Sequence, residues 1–380
     1  MNLSYMSYTI RVYGSNLFFY EKIMHVAEPF ATGVLSFLVD LTRQQVEEYE
    51  VYILYGVRPL TPDNVSNLFD KRVHLIKIDS FKGAIGTVFN FKAYRDVRRW
   101  YKKIDPDIVH FHSSASGFVG RWALPCKKLS AFYTPHGYSF LMRNGTKFKR
   151  FLFWLIEYLS AKRSAVTIAC SEGEYKEAMK LSKRSTYVNN GINTKNLKSF
   201  VRSISKIQHP IKICTSGRIL YQKNPKLFNE IARLLPEAQF IWIGEGELES
   251  ELTSPNICVT GWIKREEALN IIKDVDFFIL PSLWEGLPIS LLEAMYLKKI
   301  CLVSDVIGNR DVIKNGINGL ICHSANEYAD LIRSIVDGKV EGVLLAEHAS
   351  NDIEEDYNID LMAQKYDEIY KSCNAIKNHS

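Results

Sequence analysis

The chain has no CxxC and no paired cysteine spacing; its seven cysteines, at 126, 170, 214, 258, 301, 322 and 373, stand singly. An odd, dispersed set argues for buried free thiols in a reducing compartment, and against a disulfide framework or a zinc site. There is no apolar run of 18 residues, so no segment reads as a membrane-spanning helix. The N-terminus lacks the basic, then apolar, then small-residue order of a signal peptide, and residues 1–20 show no clean period. A full G-x-G-x-x-G turn is missing as well, GEG at 244–246 being too short for it. Acidic residues are scarce early on: residues 1–190 carry 16 Asp and Glu against 27 Lys and Arg, and the remainder reverses to 26 against 21. A basic first half points to an anionic surface as partner, membrane or nucleic acid.

What is present is a soluble-type composition, 47% apolar and 24% charged, on 380 residues, which suits two domains better than one core. After an extension over 1–21, apolar strands alternate with helical patterns: KIMHVAE at 22–28, VYILYG at 51–56, VHLIKI at 73–78, then IVHFHS, SAFYTPHG and VTIACS. This alternation predicts a doubly wound α/β unit over 22–193 with a mostly parallel sheet. A polar linker is expected over 194–210. The pattern restarts at IKICTSG and runs through QFIWIG, ICVTG, FFILPS, ICLVS and GLICH, predicting a second Rossmann-like unit over 211–352. A closing helix is expected over 353–376. Tandem units of this kind place ligands at the C-terminal edges of their strands, so the ligand crevice is expected between them.

The stretch with most chemistry is FFILPSLWEGLPISLLEAMYL, 277–297. An apolar strand breaks at Pro281, a loop carries Glu285 and Gly286, and a helix is expected from about Pro288, proline being suited to the first helical position. Glu293 falls five residues on, about 1.5 turns, and helical side chains lean toward the N-terminus. Two carboxylates and the free N–H groups of a helix start would then share one place. The N–H groups suit phosphate; the carboxylates suit hydroxyls. Arg218 and Lys223, in SGRILYQKN, lie in the loop after the first strand of the second unit, where a cation pair suits a diphosphate.

In order along the chain stand DPDIVHFHS, TPHGYSF, VTIACSEGE, VNNGIN, TSGRILYQKN, WIGEGE, VTGWI, PSLWEGLPISLLEAM and DVIKNGINGLIC. Any one is weak; the ordered set, covering about residues 22–335, resembles glycosyltransferase family 4, the retaining GT-B nucleotide-sugar transferases, whose E-x7-E signature matches Glu285 and Glu293. The resemblance implies a GT-B fold with a deep interdomain crevice. It implies that Arg218 and Lys223 hold the donor diphosphate as it leaves, that Glu293 binds ribose hydroxyls, and that Glu285, Gly286 and Leu287 bind the transferred sugar. His136 would stand beside that sugar and its phosphate. Retention on one face, with the leaving phosphate accepting the incoming proton, needs neither a protein nucleophile nor a metal, so no cofactor and no metal are expected. Gly33 falls where the family usually has a glycine pair contacting phosphate or acceptor; AEPFATGV supplies one glycine and no following basic residue. The expected partners are a nucleotide sugar and a glycan acceptor, lipid-linked in surface-polysaccharide assembly, and not nucleic acid, which would not need two such domains. Two alternatives stay open: a nucleotide-sugar epimerase of the same shape, and a lipid-surface binding protein with a dead site.

His110 and His112, in HFHS, are assigned to opposite faces of their strand and so excluded as joint metal ligands. Asp105–Asp107 and Asp274–Asp276 form DxD triplets, but both precede strands, where turn-forming Asp is expected anyway. The segments FKAYRDVRRWYKK and TKFKRFLFWLIEYLSAKR combine basic and aromatic residues. The first is expected to align Phe91, Tyr94, Val97 and Tyr101 in one stripe. Such helices suit an anionic bilayer, implying a cytoplasmic protein peripheral on the inner face of the membrane.

Overall fold

The structure, a computed structural model, describes residues 9–13, 16–59, 61–142, 145–202, 207 and 209–378. They divide into two compact units. The first comprises residues 1–140, 148–188 and 362–380; the second comprises 141–147 and 189–361.

In the first unit the strands are β1 (Thr9–Tyr13), β2 (Asn16–Ala27), β3 (Tyr49–Tyr55), β4 (His74–Lys77), β5 (Ile108–His112), β6 (Ser130–Thr134), β7 (Val166–Ala169) and β8 (Ser185–Tyr187). Seven of them lie in the order β4-β3-β2-β5-β6-β7-β8, with β1 paired antiparallel to the start of β2. The segment 1–21, set apart above as an extension, therefore carries strand at 9–13 and from 16 onward. All other pairings are parallel. β5 and β6 are buried at every position, as expected for strands covered on both faces.

A buried ion pair stiffens the layer on one face. Arg121, in the helix Ser114–Ala123, donates to Glu157 Oε2 at 2.7 Å and to the Gly117 carbonyl at 2.8 Å. Tyr133 Oη donates to the other Glu157 oxygen at 2.9 Å, and the guanidinium lies 4.0 Å from the centre of the Tyr133 ring. Each oxygen of the carboxylate is thus satisfied, the condition under which a buried charge pair is tolerated.

In the second unit the strands are β9 (Lys212–Ser216), β10 (Gln239–Ile243), β11 (Ile257–Val259), β12 (Phe277–Leu280), β13 (Ile300–Ser304) and β14 (Leu320–Cys322). They are ordered β11-β10-β9-β12-β13-β14, all parallel. Order reverses between β9 and β12, so the switch point, where doubly wound sheets bind ligands, lies at the C-terminal ends of these two strands. Phe228, on the helix Pro225–Leu234, packs edge-on to Phe240 and Trp242 with centroids at 5.5 and 4.9 Å and anchors this core. That helix has Pro225 inside its start, capped by Asn224.

The DxD triplets do the same work in both sheets. Asp107 accepts from the backbone N–H of Lys22 at 2.8 Å, and Asp276 from that of Lys212 at 2.9 Å. Asp276 thereby pins the N-terminal end of β9 and Asp107 the middle of β2, both away from the ligand edge. Residues 194–200, expected as linker, hold a short helix at Thr194–Leu197 and a 3-10 turn at Lys198–Phe200. The expected closing helix is two helices, Gly342–Asp356 and Ile359–Asn378. Between them Ile192 N–H donates to the Tyr357 carbonyl and Ile359 N–H to the Ile192 carbonyl, both at 2.9 Å. That pairing pulls the chain out of the helix, and Asn358 Oδ1 caps the next one through Leu361 N–H at 2.8 Å.

Candidate functional site

In the second unit the loops leaving β9 and β12 meet at the switch point. The β9 loop carries Arg218, Gln222 and Lys223; the β12 loop carries Trp284, Glu285, Gly286 and Leu287. Lys223 Nζ lies 2.7 Å from Glu285 Oε1, and Gln222 Nε2 donates to the Trp284 carbonyl at 3.0 Å and to Glu285 Oε2 at 3.3 Å. Leu283 N–H donates to the Gln222 carbonyl at 2.8 Å, tying the loops by backbone. Arg218 reaches Glu247 at 3.5 Å, while its buried Nε has no hydrogen-bond partner among the described residues. A buried guanidinium N–H without a partner is costly unless an anion meets it.

The β9 loop is braced from β10. A Cβ on Gly246 would lie 2.4 Å from the Ile219 carbonyl oxygen; any side chain would push the loop away. Thus GEG, too short for a dinucleotide turn, acts by close backbone approach. The β12 loop is braced in two ways. Asn190, from VNNGIN, donates to the Leu287 carbonyl at 2.9 Å. Gly308, at φ 86°, lies so close that a Cβ would overlap the Gly286 carbonyl oxygen.

The helix after Glu285 runs from Ile289 to Tyr296, with Pro288 as its cap at ψ 117°, one residue outside the expected first helical position. Glu293 sits in its second turn and is 8% exposed. Arg265, from the helix Arg265–Lys273, donates to Glu293 Oε1 through Nε at 2.9 Å and Nη2 at 2.6 Å. Arg265 was not singled out from the sequence; it lies in an ordinary amphipathic helix start and carries no local signal.

In the first unit the corresponding switch point lies between β2 and β5. Four histidines gather there. The assignment of His110 and His112 to opposite faces is wrong: successive strand residues alternate, so residues two apart share a face. Their ring centroids are 4.0 Å apart, and both are fully buried. His25 stands in register with His110 on the neighbouring strand. His25, His110 and His112 could each offer a ring nitrogen within 4.8 Å of the others, the geometry of a metal site. Both nitrogens of each ring already have a partner, however. His25 pairs with Gln45 and His112 at 2.9 Å each. His110 pairs with Tyr370 Oη at 2.7 Å and Thr134 Oγ1 at 2.9 Å. His112 completes the set with His136 at 3.1 Å.

Burial holds these rings neutral: it lowers His25 to about 4 and drives His110 and His112 well below the ordinary histidine range. It lowers His136 as well. His136 follows β6 at φ 52°, a left-handed conformation uncommon for any residue but glycine. The turn is held by Glu174, whose carboxylate accepts from Gly137 N–H at 2.6 Å and Cys170 N–H at 2.8 Å. Glu174 belongs to VTIACSEGE, so this motif positions the TPHG loop. Glu174→Ala is expected to lower stability by about 2 kcal/mol through the two orphaned N–H groups. Chemical denaturation would measure it; an unchanged midpoint would remove Glu174 from this role.

Gly33, expected in a loop, lies in the first turn of the helix Thr32–Gln45, exposed, with open space where a Cβ would stand. Nothing in its backbone demands glycine.

Comparison with known proteins settles what kind of machine has these two sheets. The model of glycosyl transferases group 1 matches residues 187–355, and that of glycosyltransferase family 4 matches residues 31–196. The chain belongs to the glycosyltransferase family. It is 28% identical, over 92% of its length and 96% of the relative's, to the UDP-Gal:alpha-D-GlcNAc-diphosphoundecaprenol alpha-1,3-galactosyltransferase of Escherichia coli. Among solved structures it resembles sucrose-phosphate synthase from Thermosynechococcus elongatus (TM-score 0.79, 15% identity, 94% of this chain and 100% of that one). It also resembles HepE of Anabaena in complex with UDP and glucose (TM-score 0.75, 16% identity, 93% and 100%). These likenesses give this glycosyltransferase the GT-B fold class expected from its motifs.

Proposed function

We propose that this glycosyltransferase moves a hexose or N-acetylhexosamine, with retention, from a nucleotide-diphosphate sugar to a polyprenyl-diphosphate-linked glycan, forming an α-linkage in surface-polysaccharide assembly. The observation that carries it is the convergence of Arg218, Lys223 and Glu285 at the β9–β12 switch point, with Lys223 Nζ 2.7 Å from Glu285. The two cations would receive the diphosphate and stabilise it as the bond to the sugar breaks, doing without metal the neutralising work that metals do elsewhere. Glu285, Gly286 and Leu287 would receive the transferred sugar, and Glu293 the ribose. Arg265 holds the Glu293 carboxylate in place and must share it when the donor binds. His136 would take part through a substrate hydroxyl. The lipid-linked acceptor rests on the likeness to the Escherichia coli transferase, whose name specifies such an acceptor.

The test is a thermal-shift screen with UDP, GDP, dTDP and ADP, then their sugars, since ligands of the native state raise its melting temperature. Transfer to a synthetic polyprenyl-diphosphate sugar follows, with the product's anomeric configuration read by NMR. No response to any nucleotide would overturn the reading; product from donor alone would replace it with an epimerase.

No helix among the described residues is long and apolar enough to cross a membrane. Association at the inner face of the cytoplasmic membrane would instead use the first unit. Phe148, Lys149, Arg150, Phe151 and Leu152 are exposed in succession on the helix Lys147–Ala161. Phe91 is exposed too, so the expected stripe holds in part: on the helix Phe91–Ile104, Val97 is buried and Tyr94 and Tyr101 are half-buried, and burial extends to Ala93, Asp96 and Ile104. Flotation with anionic vesicles at low salt should recover the protein, and Phe148→Glu with Phe151→Glu should abolish recovery. Equal recovery of the double variant would remove this surface from the reading.

A further inference from the structure

The histidine cluster has an order in it. Gln45 ends the helix Thr32–Gln45, His25 lies on β2, His112 ends β5 and His136 follows β6. Four separate elements thus contribute to one line of contacts: Gln45 Oε1 to His25 Nε2 at 2.9 Å, His25 Nδ1 to His112 Nε2 at 2.9 Å, and His112 Nδ1 to His136 Nε2 at 3.1 Å.

A neutral imidazole has one N–H donor and one acceptor nitrogen. An amide oxygen can only accept, so His25 must carry its proton on Nε2. His25 Nδ1 is then a bare acceptor, and His112 must donate from Nε2. His112 Nδ1 is bare in turn, and His136 must donate from Nε2. One amide oxygen therefore decides the tautomer of three rings. This order holds for neutral rings: burial keeps His25 and His112 neutral, and desolvation lowers the half-buried His136 as well. Phe37 packs edge-on against His136, with centroids at 4.6 Å, and the Glu174-held turn fixes where its ring starts. His110 stands beside the line, bonded to Tyr370 and Thr134, and takes no part in it.

We propose that Gln45, His25 and His112 are positioning residues that hold His136 in its Nε2–H tautomer, so that its Nδ1 is offered to a substrate hydroxyl as an acceptor. This rests on the reading above that His136 meets substrate. It assigns His136 a direction: it receives a proton-bearing group and does not donate to a phosphate oxygen.

The experiment is long-range proton–nitrogen correlation NMR on the full chain labelled with 15N-histidine, which distinguishes the two tautomers of each ring. In the wild-type protein His25, His112 and His136 should all be Nε2–H. Gln45→Met removes the amide oxygen at similar volume, and His25→Leu breaks the line at its second link. Each should turn His136 into a mixture of tautomers and lower kcat roughly tenfold, the worth of one misdirected hydrogen bond, with the donor's KM little changed. An Nδ1–H His136 in the wild-type spectrum would overturn the proposal even if both variants failed to fold. So would an unchanged His136 in a folded variant, or an equivalent of zinc in the purified protein, since a metal on His25, His110 and His112 would replace the His25–His112 bond. His136→Ala with full transfer activity would end the functional reading of His136 instead, leaving the tautomer result standing.

Discussion

Lowering the pH from about 8 to about 5.5 is expected to remove roughly 4 kcal/mol of the first unit's folding stability. His25, His110 and His112 are each held below their ordinary value of 6.5 by burial, His25 down to about 4. Below 6.5 the unfolded chain takes up protons that the folded chain refuses, so stability rises with pH in this window and falls as pH falls. Above 6.5 the contribution is complete; for His25 the loss continues down to about 4. At a pH one unit below the unfolded value each such ring costs about 1.4 kcal/mol, whatever its folded value, provided that lies well below. His136, half-buried as a residue, is left out of the sum. The groups around the rings, Gln45, Thr134, Tyr366, Tyr370, Phe37 and Phe132, do not gain or lose charge in this range. Urea unfolding at the two pH values, read by a probe in the first unit, measures the effect. A flat profile would show that the rings are not held neutral. His110→Gln should remove about a third of the slope.

Lys223→Ala is expected to lower kcat/KM roughly a hundredfold, the usual cost of deleting one preorganised donor to developing negative charge. Lys223 has two duties that the experiment must separate. In the structure its ammonium satisfies Glu285, which is 7% exposed; with the donor bound it would face phosphate. Removing it strands a buried carboxylate as well as the phosphate. Glu285→Gln in the same chain relieves the first problem and not the second. Transfer in the double variant well below that of Glu285→Gln alone, with stability recovered, would assign Lys223 to the diphosphate. Transfer equal to that of Glu285→Gln alone would reduce it to a partner of Glu285. Unchanged turnover of radiolabelled donor in Lys223→Ala itself would remove it from the site.

Much of this was legible in the order of residues. The apolar run FFIL reads as a buried parallel strand because a sheet covered on both faces favours apolar residues at every position, whereas in IVHFH the same burial takes in two histidines, each satisfied by hydrogen bonds. Arg218, Lys223 and Glu285 were legible because they sit just past such strands, where doubly wound sheets place their ligands. The break between Asp356 and Ile359 was not, because it comes from backbone bonds to Ile192, more than 160 residues earlier.

What the sequence determined by itself, then, is the doubly wound alternation, the position of the charged loops at strand ends and the family. What only the tertiary structure decided is who holds whom. Glu293 is gripped by Arg265, 28 residues away; Gly308 makes room for Gly286; and Gln45, His25, His112 and His136 form one line. The physical reason is common to all three: hydrogen bonds and close backbone approach are angstrom-scale contacts between distant segments. A sequence pattern specifies which face a residue occupies, whereas only the packing of the sheets and helices sets the partner it meets there.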